Sequence, residues 1–208
     1  MHYELATLTL PFGTAGQAAT RIEAFCCEPG AGGELLACWF SDIGVLNQMI
    51  VLRSFGSLQA LQAERVRVQA SASPYGCGDL FLDLSMDSYR GFDWKPPARP
   101  SAESGITGPV YEIRTYGIRP GGVEPTIALW REYLPPREKL SPCVLAMVAL
   151  DGPPRFTNIW AYPDLNARSQ ARADAVARGL WPPKGGPAHL TPRMVSTVAL
   201  PTAISPMK

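Results

Sequence analysis

The segment Tyr111-Glu112-Ile113-Arg114-Thr115-Tyr116 opens a second copy of an earlier part of the chain, and this duplication is the basis of the predicted fold. Tyr3-Glu4-Leu5 precedes Tyr111-Glu112-Ile113 by 108 residues. Phe55-Gly56-Ser57-Leu58 and Tyr162-Pro163-Asp164-Leu165 correspond at an offset of 107 residues. Self-similarity at a nearly constant spacing indicates a duplicated structural unit. The chain is therefore predicted to contain two tandem copies of one module.

Hydrophobic periodicity predicts the same order of elements in both copies. In the first copy, strands are predicted over residues 3–10, 35–40, 47–53 and 80–84, and helices over 17–27 and after Ser57. In the second copy, strands are predicted over 111–118, 143–150, 156–162 and 194–200, and helices over 124–134 and 164–178. Ser57 and Asp164 are the predicted N-caps of the second helix in each copy. Pro135-Pro136 is predicted to end the first helix of the second copy. The order β-α-β-β-α-β is that of the ferredoxin-like unit.

A ferredoxin-like sheet has helices on one face only, so its other apolar face needs a cover. Two tandem units can supply that cover for each other. The predicted fold class is therefore α+β, with two tandem ferredoxin-like βαββαβ repeats forming a dimeric-type α+β barrel. The repeats are predicted at residues 1–92 and 109–208, joined by a Pro-rich linker at 93–108.

Composition excludes several classes of partner. The 208 residues carry 19 basic and 18 acidic side chains, so the concentrated basic face that nucleic acid or an anionic membrane needs is not expected. No apolar run approaches the ~18 residues of a membrane span. The first basic residue is Arg21, which argues against a secretory signal. The five cysteines lack metal or disulfide spacing, and a cytoplasmic location with reduced thiols is expected.

The motifs of common cofactor sites are missing. The sequence contains no GxGxxG, Walker A, HExxH or GxSxG pattern. It contains only two histidines, His2 and His189, which are far apart in sequence. No cofactor and no metal site are predicted, and haem is disfavoured because His189 is the only candidate for an interior axial ligand.

Both copies together resemble the NIPSNAP family of the dimeric α+β barrel superfamily. The family pattern opens with Tyr-Glu-Leu-Arg-x-Tyr, which Tyr111–Tyr116 matches closely. Its middle signature, Gly-x-Leu-Asn-Gln, is matched by Gly44-Val45-Leu46-Asn47-Gln48, and a later Trp-x-Tyr is matched by Trp160-Ala161-Tyr162. Trp181 stands where the family often has a tryptophan after the last helix. The resemblance implies the barrel fold and a ligand cleft between sheet and helices.

Neither copy matches the whole family pattern. The first copy has Ala6 and Leu8 where the arginine and second tyrosine belong, and the second has Pro154-Arg155 in place of Asn-Gln. Either the pocket is assembled from halves of the two copies, or one copy has become structural. The superfamily includes cofactor-independent monooxygenases, haem-handling enzymes and decarboxylases or isomerases, so the resemblance does not choose a reaction.

Candidate ligand-binding residues come from the second copy. Alternation along a strand puts Asn158, Trp160 and Tyr162 on one face of their strand. It likewise puts Glu112, Arg114 and Tyr116 together on one face of the strand that opens the second copy. The full set of candidates is Arg114, Tyr116, Trp130, Asn158, Trp160, Tyr162, Arg172 and His189. For the aromatic residues the alternative is core packing. For Glu112 and Arg114 the alternative is a surface pair between them, or salt bridges to Arg168 or Arg172. For Arg172, one helical turn from Arg168, it is a solvated helix face. His189 lies in a Gly/Pro-rich stretch that either covers the cleft or has no role.

Two functions of different classes remain open, and no catalytic residue is assigned. The first is handling of a small hydrophobic or aromatic molecule in the cleft, by cofactor-independent monooxygenase-like or isomerase-like chemistry. The second is a non-catalytic binding or scaffolding protein that oligomerises through its sheets. A cavity with convergent polar groups would favour the first function. A filled core with a large exposed apolar patch would favour the second. Self-association of whole chains is compatible with both.

Overall fold

The computed structural model describes residues 1–96 and 108–208. Its contacts divide the chain into two compact units, residues 1–90 with 199–208, and residues 91–198. Most of the predicted linker, residues 97–107, lies outside the described residues, and the predicted repeat bounds stay a prediction. No described helix is long and apolar enough to cross a bilayer.

The first unit holds the first repeat. Its elements are β1 (His2–Thr9), α1 (Ala15–Cys27), β2 (Glu34–Ile43), β3 (Gln48–Phe55), α2 (Leu58–Ala70) and β4 (Asp83–Gly91). The strands lie in the order β4-β1-β3-β2 and pair antiparallel. The Ser57 side chain accepts a hydrogen bond from the Ala60 N–H and caps α2, as predicted. The C-terminal residues join this unit, since Thr202 N–H donates to the Cys38 carbonyl at 2.9 Å.

The second unit repeats this plan. Its elements are β5 (Val110–Ile118), α3 (Val123–Glu138), β6 (Cys143–Ala149), β7 (Arg155–Tyr162), α4 (Leu165–Ala177) and β8 (Leu190–Pro201). The strand order is β8-β5-β7-β6. Asp164 caps α4 by accepting from the Ala167 N–H at 2.7 Å. The predicted α+β class with two tandem ferredoxin-like repeats is confirmed.

Strand register shows that the two repeats correspond residue by residue. Glu4 on β1 faces Arg53 on β3, and Glu112 on β5 faces Trp160 on β7. Because the sequence offsets are 108 and 107 residues, these pairs occupy the same places in the two sheets. The repeats can therefore be compared position by position.

The predicted last strand of the first repeat, residues 80–84, was wrong. The strand is Asp83–Gly91, which pairs with β1 along its whole length from His2 opposite Arg90 to Thr9 opposite Asp83. Its sequence is largely polar, so hydrophobic periodicity did not reveal it. Backbone hydrogen bonds to a buried neighbour hold it in the sheet.

The predicted end of α3 at Pro135-Pro136 was also wrong. The helix continues through both prolines to Glu138. A proline in a helix leaves the carbonyl four residues earlier without its partner, which here affects Arg131 and Glu132. Both residues are exposed, so water can satisfy those carbonyls. The extra turn carries Arg137 into the interior of the second repeat, where it is 3% exposed.

Candidate functional site

A cleft opens in the second repeat and consists of two cavities. The outer cavity has a volume of about 310 Å³ and the inner cavity about 70 Å³. They adjoin, because five residues line both: Arg114, Tyr116, Arg172, Val176 and Trp181. β5, α4 and the loop after α4 therefore form the boundary between the two spaces.

Seven of the eight residues predicted from the sequence line this cleft. Arg114, Tyr116, Trp130 and Arg172 line the outer cavity. The inner cavity is lined by Arg114, Tyr116, Asn158, Trp160, Tyr162 and Arg172. His189 ends a short 3₁₀ helix, Gly186–His189, and is half-buried, but it lines neither cavity. The structure brings the other seven together from β5, α3, β7 and α4.

Aromatic rings form one wall of the outer cavity. The Trp130 ring meets the Phe156 ring edge-to-face at 4.5 Å between centroids, and the Trp181 ring edge-to-face at 4.7 Å. Trp181 also packs at 6.1 Å from Trp160. Edge-to-face packing of this kind holds each ring in place. The wall is therefore a fixed apolar surface against which a flat ligand can stack.

Glu112 is the hub of a buried ionic network beside the cleft. The side chain is fully buried. One oxygen, Oε1, accepts from Arg114 Nη1 at 2.6 Å, from Arg168 Nη2 at 2.6 Å and from the Ser196 hydroxyl at 2.7 Å. Its other oxygen lies 3.8 Å from Arg172 Nη1. Of the three arginines, Arg172 is held most loosely.

These contacts keep Glu112 ionised. Burial raises the pKa of its carboxyl group, but the hydrogen bond from Arg168 and the charge of Arg114 outweigh burial and lower the pKa to about 2. A carboxylate with so low a pKa is a poor proton acceptor near neutral pH. Glu112 therefore positions the arginines rather than exchanging protons.

Polar groups of the inner cavity are held by hydrogen bonds to each other. Trp160 Nε1 donates to Asn158 Oδ1 at 2.6 Å, and Asn158 Nδ2 donates to the Arg114 carbonyl at 3.3 Å. Arg114 Nε donates to the Tyr116 hydroxyl. Burial, and then the charge of Glu112, raise the pKa of Tyr162, so its hydroxyl stays protonated as a donor. The inner cavity is thus lined mainly by hydrogen-bond donors.

Two important lining residues, Arg137 and Trp181, were not predicted as site residues. The guanidinium of Arg137 lies over the Trp160 ring at 4.5 Å, and its Nη1 donates to the Ser141 hydroxyl at 2.7 Å. Sequence reasoning missed Arg137 because it placed the end of α3 before this residue. For Trp181 a signal existed, since the family pattern has a tryptophan at this place.

The sequence model of the NIPSNAP family matches residues 3–74 and 111–206. The chain belongs to the NIPSNAP family. No curated protein sequence matches it.

Several solved structures are similar to this NIPSNAP chain. A protein described as anthrone oxidase-like is 9% identical, with a TM-score of 0.66 over 97% of this chain and 91% of its own. A Lactobacillus acidophilus protein, provisionally assigned as a monooxygenase, is 9% identical, with a TM-score of 0.62 over 96% of this chain and 93% of its own. A NIPSNAP family protein of Agrobacterium tumefaciens is 23% identical, covering 48% of this chain and 93% of its own, with a TM-score of 0.42. At 9% identity, the first two likenesses show the fold alone.

In the first NIPSNAP repeat, the positions equivalent to the cleft are filled. Arg53 replaces Trp160 and is 1% exposed. It pairs with Glu4 at 2.6 Å and with Glu64, and donates to the Tyr75 hydroxyl at 3.1 Å. A closed ionic cluster therefore occupies the first repeat at this place.

The strand positions beside this cluster are apolar. Ala6 and Leu8 stand where the second repeat has Arg114 and Tyr116, and both are fully buried. Val51 stands where the second repeat has Asn158 and is also fully buried. The polar set of the cleft is thus complete in one NIPSNAP repeat and replaced by core residues in the other.

The described part of this NIPSNAP chain contains no cluster of potential metal ligands. Within residues 1–96 and 108–208, no group of three His, Cys, Asp or Glu side chains is arranged to hold a metal ion. The cleft itself presents guanidinium, hydroxyl, amide and indole groups.

Proposed function

We propose that the second repeat binds a small aromatic molecule in the cleft and promotes its cofactor-independent oxygenation or isomerisation. The observation that carries this proposal is the outer cavity of about 310 Å³, walled by Trp130, Phe156 and Trp181 and bordered by Arg114 and Tyr116. Concave, mostly apolar spaces of roughly this size with few polar groups are typical of small-molecule sites.

The aromatic wall supports a flat, ring-containing ligand. An aromatic pair contributes about 0.5–1.5 kcal/mol beyond the burial of its surface. Trp130 and Trp181 are held edge-to-face at 4.7 Å, so a ligand stacking on them does not have to order them first. A flexible aliphatic ligand would gain less from such a surface.

The polar border supports chemistry at an oxygen of the ligand. Oxygenation and isomerisation of an activated ketone both begin with loss of a C–H proton, and negative charge then develops on the carbonyl oxygen. Donors fixed in advance around that oxygen stabilise the charge. Arg114 donates a hydrogen bond to the Tyr116 hydroxyl, and Arg172 lies with them at the boundary between the two cavities. Arg114 and Tyr116 would hold the oxyanion, and Arg172 would add positive charge nearby.

The residues that line the cleft also restrict the substrate. Among the described residues, neither cavity is lined by an aspartate, glutamate or histidine. The proton must then leave to water, which suits substrates with an acidic C–H bond between two aromatic rings. Anthrone is such a compound, and one protein with this fold is described as anthrone oxidase-like. In that oxidation, anthrone and dioxygen give anthraquinone and one water.

The scaffolding alternative has no observation of its own in its favour. The described residues of the second repeat contain a cavity rather than a filled core at the family motif. Self-association of whole chains and a cytoplasmic location remain predictions.

Anthrone provides the direct test. Purified protein in air-saturated buffer is mixed with anthrone, and anthraquinone absorbance and oxygen uptake are followed against heat-denatured protein, which reports spontaneous oxidation. We expect protein-dependent turnover that falls about a hundredfold in Arg114→Gln, the typical loss for one fixed oxyanion donor.

Arg178→Gln is the matched control, because this arginine at the C-cap of α4 has a side chain that is 61% exposed and lines neither cavity. Equal rates with native and denatured protein, together with no quenching of tryptophan fluorescence by anthraquinone, would refute the proposed function for this class of substrate.

A further inference from the structure

Among the described residues, no acidic side chain pairs with the buried cation Arg137. Its side chain is 3% exposed, and its guanidinium meets the Ser141 hydroxyl, the Trp160 ring and the Tyr162 hydroxyl. Among the described residues, none of the carboxylates forms an ion pair with it, and the neighbouring Glu138 pairs instead with Lys95 at 2.7 Å. Arg53, the buried arginine of the first repeat, has two carboxylates within its cluster.

Such an arrangement is unfavourable without a counter-ion. An arginine cannot lose its proton inside a protein, and an unpaired buried charge carries a large desolvation penalty. Two neutral hydroxyls and an aromatic face offset only part of that penalty. Arg137 lies on the wall of the inner cavity, so a ligand in that cavity can reach it.

The inner cavity as a whole has an excess of positive charge. Arg114, Arg137 and Arg172 all line it, and no acidic side chain among the described residues does. The carboxylate of Glu112, beside the cleft, already accepts hydrogen bonds from Arg114 and Arg168 at 2.6 Å. Arg172 is 3.8 Å from that carboxylate, so its N–H groups remain available to another acceptor.

We propose that the inner cavity is an anion subsite and that the natural ligand is an arene carboxylate. Its carboxylate would lie between Arg137 and Arg172, and its ring system would lie in the outer cavity against Trp130 and Trp181. The volume of about 70 Å³ is sufficient for a group as small as a carboxylate. This assignment rests on the proposed aromatic ligand of the outer cavity.

A pair of ligands of equal shape tests the subsite. 2-Naphthoate carries the carboxylate, and 2-naphthamide replaces it by a neutral carboxamide. Dissociation constants are measured at pH 7.5 from quenching of tryptophan fluorescence. We expect wild-type protein to bind 2-naphthoate at least tenfold more tightly, as a charge-assisted hydrogen bond predicts. Arg137→Met and Arg172→Gln should each remove that preference, and Arg178→Gln should keep it.

The stability of the ligand-free protein separates a binding role of Arg137 from a structural one. If the charge of Arg137 is compensated only when an anionic ligand is bound, Arg137→Met should unfold at the same temperature as wild type or at a higher one, because an unpaired buried charge is removed. Arg137→Lys, which keeps the charge, should keep most of the preference for 2-naphthoate. A lowered unfolding temperature of Arg137→Met with an unchanged preference would mean a structural role and overturn the subsite.

The remaining outcomes distinguish this inference from the proposed function. Equal binding of both naphthalene ligands to wild type would overturn the anion subsite and leave the aromatic site standing. Binding of neither ligand would refute the aromatic site, and the subsite with it. Acetate or phosphate alone could raise the unfolding temperature of wild type as much as 2-naphthoate does, with no such effect in Arg137→Met. The cavity would then bind free anions, and the assignment of an arene carboxylate as the ligand would be wrong.

Discussion

Arg168 Nη2 and Glu112 Oε1 lie 2.6 Å apart and join helix α4 to strand β5 beside the cleft. The same carboxylate oxygen accepts from Arg114 at 2.6 Å. One fully buried acidic side chain thus sets the positions of arginines on two elements. The first repeat has a buried carboxylate at the same position, Glu4, but its partner is the arginine that fills the space.

Replacing Glu112 by glutamine should destabilise the protein. Breaking a buried ion pair from one side leaves its partners without compensation and costs about 3–5 kcal/mol. Because the side chain of Arg114 is 17% exposed and that of Arg168 is 23% exposed, we expect the lower end, about 3 kcal/mol in the free energy of unfolding. Urea unfolding measures it. Glu132→Gln on the exposed face of α3 is the control and should change stability by less than about 0.5 kcal/mol.

Glu112 should also make the free energy of unfolding depend on pH. Its pKa is about 2 in the folded protein, below the ordinary value of 4.5. Since the unfolded chain takes up the proton first, the stabilisation by this group is complete above about pH 4.5 and is lost as the pH falls toward 2. The loss should be on the order of 2–3 kcal/mol. Urea unfolding between pH 2.5 and 7 should show it in wild type and not in Glu112→Gln, and equal slopes for both proteins would contradict it.

Replacement by methionine should lower the stability of the protein at Arg53 and not at Arg137. Arg53 bonds to two buried carboxylates, Glu4 and Glu64, so Arg53→Met leaves two buried negative charges unpaired. The free energy of unfolding should fall by at least about 3 kcal/mol. Arg137→Met leaves no carboxylate behind and should not lower it. Calorimetric unfolding of both variants under one condition makes the comparison, and equal destabilisation would show that both arginines are structural.

Cysteine labelling should follow burial. Cys38 and Cys143 are fully buried, and burial is the largest cause that raises the pKa of each thiol to about 12. Reactive thiolate is therefore scarce at both sites. Cys27 is exposed. Iodoacetamide at pH 8 should label Cys27 in native protein and leave Cys38 and Cys143 unmodified, as read by mass spectrometry after digestion. In 8 M urea every cysteine should react, and rapid native labelling of Cys38 would contradict the packing.

Local chemistry was sufficient to predict much of the fold. The offsets between Tyr3 and Tyr111 and between Phe55 and Tyr162 predicted the duplication, and Ser57 and Asp164 start their helices as expected. Alternation along β5 and β7 selected residues that line one cleft. Each of these predictions depends on neighbours in sequence or on one sheet face, which a pattern of side chains records.

Patterns in the chain were enough to establish the module, its duplication and the faces of its strands. The three-dimensional structure was needed to see which copy keeps a cavity, because equivalent places are filled differently. Arg53 with its buried carboxylates occupies the place in one repeat, and Trp160 lies beside open space in the other. The structure also shows that α3 continues through its prolines and carries Arg137 inward. Packing and charge compensation act between residues far apart along the chain, so no local pattern contains them.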